Sequence, residues 1–319
     1  MILLLTNRQD ITADYVVCEL KRRNLKYIRF NTEDFPENVL GNIKFRDKTL
    51  NGSLEFRDVS VPFQSIESIW FRRPVLSKIS SIKIGKKYKD YISRESFWFL
   101  NGIWDNIDCF WISNPYSIQV AENKITQLHT AKELGFQIPK TLITNKYKEI
   151  IDFWDLCRRE MIIKPIKDGR IDEKNFYTNK VGKDDIKALK KNKTVILPSI
   201  YQKHIQKKYD IRVTVIGKET FPVEIHSQND VNTKTDWRTL ENNTLIHKIH
   251  SLPDSIVQKC LKIVKYFNLE FGAIDMILAK NGEYYFLEIN PNGQWAWIEN
   301  RTGLKLTATL VNLLVRGKK

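Results

Sequence analysis

Residues 271–290 constrain this chain more than any other stretch. Residues 271–278 are apolar apart from one carboxylate, Asp275, and residues 284–289 form a second apolar-rich run. Asn281-Gly282 lies between them, a strong signal for a tight hairpin turn. Glu288 and Asn290 close the second run, and with a period of two they face the same side. Burying carboxylates in strands this apolar is costly without a cation. Three oxygen donors on paired strands suit a hard, octahedral ion such as Mg2+ that also holds nucleotide phosphates. Asp275, Glu288 and Asn290 are therefore the candidate metal ligands; the alternative is three unrelated polar residues at strand ends.

Two upstream features gain meaning beside that hairpin. Residues 201–213 read Tyr-Gln-Lys-His-Ile-Gln-Lys-Lys-Tyr-Asp-Ile-Arg-Val. A strand edge followed by a short linker can offer main-chain groups to an adenine, which singles out Gln202, Lys203, His204 and Ile205. Asp210 is placed for a ribose hydroxyl. Arg212 falls on a strand opposite the metal hairpin, where a guanidinium can hold a γ-phosphate or an acyl-phosphate. The second feature is a pair of lysines, Lys124 on a helix and Lys164 at the end of the strand 161–164. A lysine at a strand end beside a nucleotide adds a point charge to phosphate oxygens; taken alone, each reads as a solvated surface charge. No Ser/His/Asp or Cys/His set stands out, and His226 and His250 are the other proton-transfer candidates.

The organisation follows from periodicity. Residues 1–115 read as a small α/β domain: a buried strand at 2–5, a helix capped by Asp10 or Thr12, and a strand at 27–30. A hairpin over 43–56 then turns at Asn51-Gly52, and a strand follows at 68–71. A helix over 88–104 has Phe97, Leu100 and Trp104 on one stripe, read as core packing. Asn114-Pro115 marks a boundary. A second unit opens with a helix over 121–134 ending at Gly135, then strands at 141–143, 161–164 and 195–202 with helices between. A hairpin around Gly217-Lys218, a helix at 253–267, the metal hairpin and a closing helix at 304–315 complete the chain. This divides it into 1–115, 116–202 and 203–319.

Composition narrows the partners. The net charge of +15 comes from 52 Lys and Arg against 37 Asp and Glu, which attracts nucleic acid, anionic lipid, acidic peptides or nucleotides. No basic helix, zinc finger or RNA-binding strand motif accompanies it, so nucleic acid is not expected as a partner. No run is long and apolar enough for a membrane span, and the short apolar start lacks the features of a signal peptide. Cys18, Cys109, Cys157 and Cys260 form no CxxC. Reduced thiols in a cytoplasm are the expectation.

The ordered set of lysine, strand lysine, adenine segment, Asp-x-Arg, Asp and Glu-x-Asn resembles the ATP-grasp superfamily across 118–319. Further segments resemble the microviridin-type ATP-grasp peptide maturases, the graspetide synthetases. These are Ser-Ile-Trp-Phe-Arg-Arg-Pro (68–74), Ala-Glu-Asn-Lys (121–124), Leu-Gly-Phe-Gln-Ile-Pro-Lys-Thr-Leu-Ile-Thr-Asn (134–145), Tyr-Thr-Asn-Lys-Val (177–181), Glu-Ile-His-Ser-Gln (224–228), Asp-Trp-Arg (236–238) and Leu-Glu-Ile-Asn-Pro-Asn-Gly-Gln-Trp (287–295). After Lys164 the chain has only Gly169 where many ATP-grasp enzymes carry a glycine-rich flap, and Lys203 stands where an acidic residue is common.

The resemblance implies an α/β ATP-grasp fold: an N-terminal pre-ATP-grasp domain, a central subdomain, and a C-terminal antiparallel-sheet subdomain with the catalytic site. It implies ATP and Mg2+. It also implies phosphorylation of a Glu or Asp side-chain carboxylate of a ribosomal precursor peptide, followed by attack of a Ser/Thr hydroxyl or Lys amine to close a macrocycle. A ligase acting on free amino acids or small metabolites is the alternative. In that layout Arg212 faces the metal, and the loop before Arg238 lies over the site's mouth. Both guanidinium groups then hold the reacting carboxylate, unless Arg238 merely pairs with Asp236 or Glu241. Asp184 and Asp185 are candidates for leader-peptide recognition, against simple helix-dipole complementarity. A homodimer is also implied.

Overall fold

The computed structural model describes all residues except 47–48, 58, 81–82, 168, 172–173, 240–244 and 318–319. The chain divides into two compact units. One comprises 1–115 with 294–299 and 305–319; the other comprises 116–293 with 300–304.

The first unit is built on apolar strands. β1 (Ile2–Thr6) lies between β2 (Tyr27–Asn31) and β6 (Ser68–Phe71), and β7 (Phe110–Ile112) completes a parallel sheet in the order β2-β1-β6-β7. A parallel sheet needs cover on both faces, and β1 is buried along its whole length. α1 (Ile11–Arg22) supplies Ala13, Val16 and Leu20 at helical spacing, and Asp10 caps it by accepting the Ala13 N–H. The closing helix Leu306–Arg316, expected from sequence with the C-terminal part, packs here on α1, β6 and β7. α2 (Lys86–Trp104) buries Leu100, Ile103 and Trp104, but Phe97 is 44% exposed and lies edge-on to Trp98. The inward stripe is therefore shifted from the expected one.

β3 (Val39–Arg46), β4 (Thr49–Phe56) and β5 (Val59–Pro62) form an antiparallel sheet. The hairpin is where the sequence placed it, but Asn51-Gly52 is not its turn. Those residues lie inside β4, opposite Lys44 and Ile43, and the pairing continues past them to Arg46 and Thr49. Gly52 serves close packing instead: a Cβ there would lie 2.1 Å from the Asn42 carbonyl oxygen and 2.6 Å from the Phe63 ring.

In the second unit, the expected helix over 121–134 is not continuous: a separate helix, α3 (Pro115–Ala121), ends at its first residue, and α4 (Lys124–Glu133) makes up most of the rest. Asn123 breaks it, because its side chain accepts the N–H groups of Ile125 and Thr126 and starts a new helix. Lys124 thereby becomes the first residue of α4. β8 (Thr141–Thr144), α5 (Tyr147–Leu156) and β9 (Met161–Lys164) follow. Short pairs β10 (Arg170–Ile171) and β11 (Lys174–Asn175), then β12 (Asn179–Lys180), α6 (Lys183–Asn192) and β13 (Ser199–Lys203) complete this part. The sheet order is β12-β9-β13-β8, all antiparallel. Ile150, Phe153, Trp154, Ile186 and Tyr201 make its core. β13 starts later than the expected 195. Pro198 precedes it, and a proline cannot donate to a ladder.

The remaining elements are β14 (Lys207–Ile216), β15 (Glu219–Ile225), β16 (His247–Ile249), α7 (Asp254–Tyr266), β17 (Phe271–Ala279) and β18 (Tyr284–Asn290). They form a five-stranded antiparallel sheet in the order β16-β15-β14-β17-β18, with α7 packed on β14 and β17. Asp275 pairs with Glu288, whereas Met276 pairs with Phe286. This leaves Leu287 as a bulge beside Glu288. No helix among the described residues is long and apolar enough to cross a membrane.

Candidate active site

Pairing across three strands sets Arg212, Asp275 and Glu288 abreast, on β14, β17 and β18. Asp275 and Glu288 line a cleft of about 430 Å³ within the second unit, and Arg212 lies behind them against Asp275. Arg212 Nε lies 3.1 Å from Asp275 Oδ1, while its buried Nη1 has no hydrogen-bond partner. A cation buried with an open donor is suited to a bound anion. Gly293 permits this packing: a Cβ there would lie 2.3 Å from that of Ala273 and 3.5 Å from Arg212 Nη1.

Cations gather opposite. Lys124 Nζ is 3.2 Å from Glu288 Oε2, and Arg238 Nη1 is 3.4 Å from Glu288 Oε1. Lys164 also lines the cleft. Burial alone would raise the Glu288 carboxyl, but Lys124, Arg238 and Lys164 hold it well below the usual carboxylate range. Its neighbour Asp275 goes the other way. Burial pushes it up and the Glu288 and Asp210 charges add to this, more than Arg212 and Arg238 offset. Two carboxylates abreast, one driven toward its protonated form, are what a shared divalent cation would relieve. Asn290 stands at the end of β18, its Oδ1 accepting the Asn292 N–H at 2.9 Å and keeping a second lone pair. The donor set Asp275, Glu288, Asn290 is all oxygen, which fits Mg2+.

Burial lowers the Lys164 ammonium to about 8; the charges of Lys124 and Arg238 act in the same direction and those of Glu288 and Asp236 against it. The adenine segment, Gln202 to Ile205, also lines the cleft. The Lys203 N–H already donates to Lys140 O, and the His204 N–H to Glu160 O, both at 2.9 Å. Among the described residues the main chain of Ile205 makes no such bond. Gln202 donates to Thr141 Oγ1, while its buried Oε1 has no partner. Asp210 is more engaged than the sequence suggested. Lys207 Nζ lies 2.9 and 2.8 Å from its two oxygens, and Ser227 Oγ donates to Oδ2.

Arg238 has two sequence readings, a contact to the reacting carboxylate or a pair with Asp236. It does pair with Asp236, through Nε at 2.9 Å and Nη2 at 2.8 Å, but Asp236 is buried in the cleft. The third nitrogen, Nη1, points to Glu288. Asp236 Oδ2 further accepts the Thr178 N–H at 3.3 Å. The Trp237 ring lies 5.7 Å from Arg212 Cζ. Glu241 falls outside the described residues.

Asp184 and Asp185 do not line the cleft. Asp185 accepts the Gly182 N–H at 2.7 Å, and Asp184 pairs with Lys187 at 3.0 Å on the exposed first turn of α6. His226 and His250 bracket Glu224 at 2.8 and 3.0 Å. Glu224 pairs with Ile211, next to Arg212, so it faces away from the cleft. Sequence reasoning gave no role in this site to Gln127, Lys207, Ser227, Asp236 or Trp237, although the segments 201–213, 224–228 and 236–238 contain all of them but Gln127.

Comparison with known proteins places these features. A model of the MvdD pre-ATP grasp domain matches residues 1–119, and a model of the RimK-like ATP-grasp domain matches residues 121–314. Among curated proteins, none matches the sequence. The chain is similar to a Chryseobacterium gregarium RiPP-associated ATP-grasp ligase solved with ADP and a leader and core peptide, at 29% identity and a TM-score of 0.89, covering 99% of this chain and 96% of that one. It is similar to the macrocyclase MdnB from Microcystis aeruginosa, at 28% identity and a TM-score of 0.80, covering 99% of each chain. The macrocyclase MdnC from the same species, bound to its precursor peptide MdnA, shares the fold at 24% identity and a TM-score of 0.85, again over 99% of each chain. The cleft's carboxylates, its facing cations and a family model spanning 121–314 agree: the chain belongs to the RimK-like ATP-grasp family.

Proposed function

We propose that the chain is an ATP-dependent ligase that activates side-chain carboxylates of a precursor peptide and joins them to hydroxyl or amine groups of the same peptide. The observation that carries this is the row Arg212–Asp275–Glu288, whose two carboxylates line one cleft with Lys124, Lys164 and Arg238. The match to a peptide-bound relative over nearly the whole length of both chains favours a peptide over a free metabolite.

Asp275, Glu288 and Asn290 would hold Mg2+, which when bound neutralises charge between phosphate oxygens. Lys124 and Lys164 add positive charge on the phosphate side. Arg212, with its open Nη1, holds the anion being transferred. Arg238 sits at the mouth, its side chain 43% exposed, where it meets the incoming carboxylate. A carboxylate oxygen attacks the γ-phosphorus and ADP leaves. The hydroxyl or amine then attacks the acyl carbon and inorganic phosphate leaves. Positioning and electrostatics suffice, so no protein nucleophile is required. Gln202 and Ile205 are the adenine contacts in this reading, with Lys203 and His204 shaping the pocket and Asp210 near the ribose. Asp184 and Asp185 remain the proposed leader contacts. The 1–115, 116–202 and 203–319 division and a homodimer belong to the same proposal.

The test is incubation with ATP, Mg2+ and the peptide encoded beside the gene. One ADP and the loss of one water from the peptide should accompany each closure. Arg238→Ala should keep nucleotide binding and lose closure; Arg212→Ala should lose both. ADP release driven by free amino acids, with the peptide mass unchanged, would favour the small-metabolite ligase.

A further inference from the structure

β18 is the outer strand of its sheet, so its outer edge lacks a strand partner where it carries Glu288 and Asn290. Buried main-chain groups at such an edge must be satisfied by something else. At Phe286 the partner is main chain, its N–H donating to Gln137 O at 2.8 Å. At Ile289, between two of the proposed metal ligands, the partner is one side chain. The Ile289 N–H donates to Gln127 Oε1 at 3.0 Å, and Gln127 Nε2 donates to Ile289 O at 2.9 Å. The second Nε2 hydrogen goes to Ala121 O at 2.6 Å. Two carbonyls face the nitrogen and one N–H faces the oxygen, so only this amide orientation satisfies all three. Gln127 is 2% exposed.

The amide thus takes the place of a neighbouring strand. Its helix brings a second grip, because Lys124 lies three positions earlier on the same face of α4 and reaches Glu288. Adjacent residues of β18 are held by residues one turn apart on one helix. We infer that Gln127 is a positioning residue, fixing the Glu288–Asn290 segment in the geometry that binds the divalent cation. This rests on the metal reading above and goes beyond it, since Gln127 itself contributes no ligand.

The experiment uses Mn2+ as the probe, its binding to the ADP-loaded protein followed by electron paramagnetic resonance. Gln127→Met keeps the shape and loses all three bonds. It should weaken Mn2+ binding by about tenfold or more, with ADP affinity in the absence of metal unchanged. Gln127→Glu keeps the acceptor for Ile289 but loses the donors, should weaken Mn2+ binding less, and carries the test if Gln127→Met does not fold. Leu128→Ala is the control, a buried apolar neighbour on α4 whose side chain has no hydrogen bond to lose; it should lower the melting temperature and leave Mn2+ affinity as it was. Wild-type Mn2+ affinity in both Gln127 variants would overturn the inference, as would an equal loss in Leu128→Ala. No Mn2+ binding by the wild-type ADP complex would instead remove the metal reading, and the inference with it.

Discussion

Glu288 shows how the surrounding charges, rather than burial alone, set the state of a carboxylate. Three cations keep it ionised despite its burial, and a cation site gains nothing from a carboxylate that takes up a proton. Glu288→Gln removes the charge at constant shape. Circular dichroism should show a native fold, and ADP release should fall by at least about a hundredfold. Lys164 makes the opposite trade. Its ordinary value is lowered to about 8 by burial. Below that value the folded protein carries a charge that burial disfavours. As pH rises above about 8 the folded lysine loses its proton before the unfolded one, so stability rises. Lys164→Met should therefore stabilise the ligand-free protein at neutral pH by on the order of 1 kcal/mol, with a gain that fades in alkaline buffer, while ATP affinity falls. Thermal melts across pH with parallel nucleotide titrations check both halves. A variant that melts below wild type at pH 7 would contradict the account. Asp275, Glu288 and Asn290 were legible in sequence because charged and amide side chains interrupt apolar strands at a fixed spacing. Gln127 was not, because its role depends on main-chain contacts 162 residues away.

Most strands and helices were legible from periodicity, and the exceptions have local causes. Asn123 looked like an interior helix residue and is a cap. Asn51-Gly52 has the composition of a turn, but its glycine is needed for contact with Asn42 and Phe63. The segment 227–239 is the least legible functional element, since it has no repeating pattern and is held by side chains. Thr233 Oγ1 donates to Ser227 O at 2.7 Å, Lys207 Nζ reaches Thr235 O at 3.3 Å, and Asp236 ties Arg238 to Thr178. Asp236→Asn keeps the size of the side chain but weakens the charged pair and one acceptor. Hydrogen exchange should show faster exchange at the Thr178 and Arg238 amides. Catalytic turnover should fall more than ATP affinity, because Arg238 is the group released. Unchanged protection at both amides would show that the segment is held by other contacts.

At the scale of the molecule, the order of chemical residues along the chain revealed the fold class. Grouping by packing was less accessible. The closing helix follows the metal hairpin in sequence yet packs on β6, β7 and α1 of the first unit, because its apolar face matches that surface, and no local signal records such a match. In the proposed reaction this chain moves a phosphoryl group onto a peptide carboxylate before closing the ring. If so, one carboxylate oxygen of the peptide must leave with the phosphate. A precursor labelled with heavy oxygen in its Asp and Glu side chains should therefore yield labelled inorganic phosphate, one labelled molecule per water lost from the peptide, as read by mass spectrometry. Ring closure with wholly unlabelled phosphate would contradict the account.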